Sequence, residues 1–107
     1  MKRAATFAAA ILFAGIAQAN EIDLTVDNFS KDGQIVSAVV KLTNNLDQEV
    51  SHVYVDCAFL REDKRAIDIG KEIVSRIEAK GYAYGKASIV TAEKVRYADC
   101  KVTNFNK

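Results

Sequence analysis

The stretch Val50-Ser51-His52-Val53-Tyr54-Val55-Asp56-Cys57-Ala58-Phe59-Leu60 decides how the rest of the chain is read. Val53, Val55, Cys57 and Phe59 fall on one side of an extended backbone, and Tyr54, Asp56 and Ala58 on the other. Side chains alternate across a strand, so this period of two describes a strand with one apolar face. Turn formers bound it on both sides. Asn44-Asn45-Leu46-Asp47 precedes it, and the mixed-charge run Arg61-Glu62-Asp63-Lys64-Arg65 follows as a hairpin connection. Upstream, Ile35 to Leu42 is β-branched and mostly apolar, and Ile22, Leu24 and Val26 alternate with Asp23, Thr25 and Asp27. Ser30-Lys31-Asp32-Gly33 reads as the turn between those two segments. Downstream, Tyr82, Tyr84, Lys86, Ser88 and Val90 share one strand face, opposite Ala83, Gly85, Ala87 and Ile89. Val95 to Thr103 forms a last strand, with Cys100 on the same side as Ala98 and Val102.

Ile67 to Ile77 fits two patterns. Ile69, Ile73, Val74 and Ile77 make a helical stripe that Gly81 could end, whereas Ile73, Ser75 and Ile77 fit a strand. Strands on either side favour the strand, with Glu78 to Gly81 as the following turn. The total is about seven strands with turn signals every 8 to 14 residues, which predicts an all-β fold, a small antiparallel β-sandwich.

The first nineteen residues carry an address. Met1-Lys2-Arg3 is basic, Ala8 to Ala17 is apolar, and Ala17-Gln18-Ala19 places small residues where a signal peptidase reads. This is the layout of a cleaved secretory signal peptide, with an apolar core too short to span a bilayer. Cleavage near Ala19 leaves residues 20–107 as one domain that is periplasmic or secreted. That domain carries 13 Lys and Arg against 14 Asp and Glu, so no basic excess points to nucleic acid. It has no second segment long enough to cross a membrane. Cys57 and Cys100, an even pair in an exported chain, are expected to form one disulfide. Two distant cysteines and a single histidine do not make a metal set.

From Val39 to Ile89 the order of features resembles the FxLYD-type domain of exported bacterial proteins. The pieces that carry the resemblance are Val40-Lys41-Leu42-Thr43-Asn44-Asn45, the strand Val50 to Leu60, the turn Arg61 to Arg65, and Val74-Ser75-Arg76-Ile77 with Gly81. Cys57-Ala58-Phe59-Leu60-Arg61 takes the place of the name-giving motif and keeps only its apolar character. The resemblance implies an immunoglobulin-like sandwich and an accessory or interaction module with no shared catalytic residues.

The residues offer little chemistry. His52 and Cys57 lie five apart on one strand and so point to opposite faces, and a bridged Cys57 has no thiolate. No glycine-rich phosphate loop or calcium loop is present, and no cofactor is expected. The exposed side chains suggest binding instead. Tyr82 and Tyr84, with Lys80 and Lys86 nearby, can form a protein- or glycan-binding surface. Arg61 to Arg65 could act as a rigid plug in an inhibitor of an envelope or host hydrolase. The expected function is a non-catalytic module that binds another envelope protein. The inhibitor is the alternative, and a small enzyme built on His52 a more distant one.

Overall fold

The computed structural model describes residues 20–107, so the signal-peptide reading of residues 1–19 lies outside the described residues. Six strands follow in chain order: β1 (Ile22–Asp32), β2 (Ile35–Asn44), β3 (Val50–Leu60), β4 (Ala66–Ile77), β5 (Tyr82–Val90) and β6 (Tyr97–Asn106). They form two antiparallel sheets of three, ordered β1-β2-β5 and β4-β3-β6. The fold is the expected all-β sandwich, with six strands in place of about seven. No helix among the described residues is long and apolar enough to cross a membrane.

The core lies between the sheets and comes from alternate residues. β3 contributes Val53, Val55, Cys57 and Phe59, and β2 contributes Val36, Ala38, Val40 and Leu42, all essentially inaccessible to solvent. Ala87 and Ile89 of β5, and Val74 and Ile77 of β4, complete the opposing corners. Burial of these aliphatic side chains is the main favourable term, at about 1.5–3 kcal/mol for each large one. β6 supplies only partly buried side chains, Ala98, Cys100, Val102 and Phe105.

Two boundaries differ from the sequence reading. β1 runs on to Asp32, and the turn is the two-residue Gly33-Gln34 rather than Ser30 to Gly33. Gly33 takes φ = 60°, which suits a tight hairpin. The mostly polar run Asn28 to Asp32 stays extended because each residue pairs with one of β2, and an edge strand tolerates polar side chains. β6 begins at Tyr97 rather than Val95 and reaches Asn106, pinned at its start by the Arg96 N–H donating to the Leu60 carbonyl.

Ile67 to Ile77 is strand, inside β4, and its pattern is inverted at the middle. Ile69 and Ile73 face solvent, whereas Gly70 and Glu72 face the core side. The cause is a close approach of β4 to β5. A Cβ at Gly70 would stand 2.8 Å from the Ser88 carbonyl oxygen, and one at Gly85 would stand 3.0 Å from Cγ of Glu72. The Glu72 carboxylate accepts the N–H of Lys86 at 3.0 Å and that of Ile73 at 3.0 Å. It thereby caps the β5 edge, which no strand pairs.

Candidate functional site

The β1-β2-β5 sheet presents its outer face to solvent. In register across it run the rows Asp23–Thr43–Tyr82, Thr25–Lys41–Tyr84 and Asn28–Val39–Lys86. Tyr82 and Tyr84 stand 63% and 55% exposed, their rings edge to face with centroids 5.9 Å apart. Lys41 Nζ sits 4.6 Å from the Tyr82 centroid, within cation–π range. The aromatic pair therefore braces itself in place while keeping rings and hydroxyls open. The geometry brings Tyr82, Tyr84 and Lys86 onto one surface and adds Lys41, which the sequence reading did not single out. Its signal is the lone lysine among apolar β2 residues, but its partner depends on the β2–β5 register.

Lys80 does not join that face. It lies in the β4–β5 turn with φ = 59°, and its Nζ donates to the Asn45 carbonyl at 2.7 Å and lies 3.6 Å from an Asp47 oxygen. It serves as a strut between two loops. Beside it, Arg76, Glu78, Lys80 and Tyr82 rim a shallow recess of about 480 Å³.

The same end of the sandwich is knitted by Asn44, a fully buried polar residue. Its Nδ2 donates to the carbonyls of Gln48, Ile77 and Glu78 at 2.9, 3.2 and 3.1 Å. Its Oδ1 accepts the Leu46 N–H at 2.9 Å, and its own N–H reaches the Gly81 carbonyl at 2.8 Å. Asn44 thus fixes the turn from which Tyr82 emerges.

Arg61 and Arg65 lie at the opposite end. The β3–β4 hairpin is a turn closed by the Lys64 N–H donating to the Arg61 carbonyl, with Lys64 at φ = 68°. Arg61 Nη2 bonds Glu93 at 2.7 Å and so ties this hairpin to the β5–β6 loop, while Arg65 stays exposed. Arg61 is a brace and Arg65 an exposed side chain of the same hairpin, where the Arg61 N–H donates to the Arg65 carbonyl at 2.9 Å. They are far from the tyrosines.

The cysteines form the expected disulfide. It joins neighbouring strands of one sheet, at directly paired positions of β3 and β6, and Cys57 is fully buried. His52 sits exposed on β3 with φ = 50°, its Nδ1 3.4 Å from the Asn106 amide. No group of three or more His, Cys, Asp or Glu among the described residues could hold a metal. No known family model, curated protein or solved structure matches the chain.

Proposed function

We propose that the protein is a non-catalytic binding or accessory module of the bacterial cell envelope, exported through its N-terminal signal, whose partner is another envelope protein. The observation that carries this reading is the Tyr82–Tyr84 pair, held edge to face and flanked by Lys41 on an open sheet surface. Tyrosines fixed in this way bring large contact area with little rotamer entropy to lose, the property that enriches them at interfaces. The disulfide suits an oxidising compartment. The resemblance of residues 39–89 to FxLYD-type domains suits an accessory role.

The test is a pull-down from an envelope extract with oxidised protein as bait, read by mass spectrometry. One saturable partner, lost with Tyr82→Ala/Tyr84→Ala and kept with His52→Ala, is the expected result. Retention unchanged by the tyrosine substitutions refutes the assignment of this face. The inhibitor reading draws on the braced Arg61–Arg65 hairpin, and a hydrolase captured by the wild type but not by Arg65→Glu would establish it in place of the first.

A further inference from the structure

The two sides of the sandwich are not equivalent. β4 and β5 close one side through Gly70, Gly85 and the Glu72 carboxylate. The other side is bounded by β1 and β6, which belong to different sheets. Among the described residues β1 pairs only with β2, and β6 only with β3, so each leaves an edge of backbone N–H and C=O groups unpaired there.

The side chains on this side are as incomplete as the backbone. Val26 is in register with buried Val40 and Phe29 with buried Ala38, so both point towards the core. Val26 nevertheless remains 40% exposed and Phe29 39%, although Phe29 stacks on fully buried Phe59 at 6.3 Å. Two recesses flank these residues. One, of about 430 Å³, includes Phe29, Val36 and Val95 in its lining, and the other, of about 300 Å³, includes Ile22, Leu24 and Val102. The charged residues lining them are Lys31 and Lys94 in the first and Lys101 in the second, with no acid in either. None of the three lysines forms an ion pair among the described residues. Of the β1 aspartates, Asp23 and Asp32 lie on the outer face, paired with Thr43 and Ile35, and Asp27 sits at the β-bulge, where it accepts the Thr25 hydroxyl; Lys101 is in register with Asp56 of β3.

We propose that the open β1–β6 side is an acceptor groove for a strand from a partner protein. Its occupant is an extended segment, apolar at every second residue and acidic at its ends. Alternate apolar side chains would cover Val26 and Phe29, the backbone would pair with an exposed edge, and the acidic ends would meet Lys31 and Lys94 on one side and Lys101 on the other. The segment would supply the seventh strand that a seven-stranded sandwich carries in its own chain. This surface is separate from the tyrosine face and does not depend on it.

The probe is an acetylated, amidated peptide of about nine residues, with valines alternating with threonines and an aspartate at each end, long enough to follow most of β1. A scrambled peptide of the same composition is the control. Titration into ¹⁵N-labelled oxidised protein should give saturable shifts confined to residues 22–32 and 94–106. Lys31→Glu/Lys94→Glu should weaken binding at least tenfold without lowering the thermal midpoint, and Tyr82→Ala/Tyr84→Ala should leave it unchanged. Equal binding of the scrambled peptide, shifts on other strands, or no shift at millimolar peptide would overturn the proposal. So would a concentration-dependent dimer formed through β1 without peptide, which would make the occupant a second copy.

Discussion

Replacing Asn44 by alanine should cost several times more stability than replacing its neighbour Asn45. The side chain is wholly buried, donates from Nδ2 to three carbonyls and accepts one N–H. Alanine supplies none of these. Nδ2 has two hydrogens for its three acceptors, so about three net hydrogen bonds are lost at roughly 1 kcal/mol each. The Ile77 carbonyl, in a buried contact, is left without that donor, which brings the total to about 3–4 kcal/mol. A domain of this length has about 4–13 kcal/mol in all. The assay is urea unfolding of oxidised protein, followed by far-ultraviolet circular dichroism. With a slope of about 1.5 kcal/mol/M, the midpoint should fall by about 2 M. Asn45→Ala is the control, because its Nδ2 bonds to the Asn20 carbonyl and to Asp23 are exposed. It should cost about 0.5 kcal/mol. A loss below 1 kcal/mol for Asn44→Ala, or one equal to that of Asn45→Ala, refutes the reasoning.

Removing the disulfide as Cys57→Ala/Cys100→Ala opens a loop spanning 43 positions and should lower unfolding free energy by about 4 kcal/mol in the chain-entropy picture, measured in the same urea assay. A loss under 1 kcal/mol would show that the unfolded chain is not what the bond restrains. Gly70→Ala adds a Cβ 2.8 Å from a backbone oxygen of Ser88 and should cost about 1–3 kcal/mol by thermal denaturation. An unchanged midpoint would mean that β4 and β5 can separate freely.

Where residues alternate and face a core, the fold was legible in the sequence. β3 occupies Val50–Leu60, as the period of two predicts, because its inner positions are Val, Cys and Phe. β4 was ambiguous for a physical reason. Its middle inner positions hold Gly70 and Glu72, one allowing the close approach to β5 and the other capping that strand, so Ile69 and Ile73 face outward while Ile77 stays in the core. Periodicity assumes apolar residues inside and so misleads there. The end of β1 was hidden by polar residues that only pairing with β2 holds extended. At the candidate site, the shared face of Tyr82, Tyr84 and Lys86 follows from alternation alone, whereas Lys41 enters through register and Lys80 leaves through a turn bond. Asn44 looked like an ordinary turn residue, since nothing local distinguishes a buried amide from an exposed one.

The disulfide joins Cys57 and Cys100 at directly paired positions, and β6 otherwise buries little. A strand whose side chains are half exposed is poorly protected against slipping along its neighbour, because the energy gap between alignments scales with the apolar area that a shift would expose. A slip of one residue would turn Cys100 to the far face of its sheet, out of reach of Cys57. The bond therefore acts as a gauge of alignment. Oxidation can seal β6 only when it has docked in phase, and afterwards it holds that phase through every local opening of the strand. Two sulfur atoms thus give the last strand a definite place that its packing alone specifies weakly.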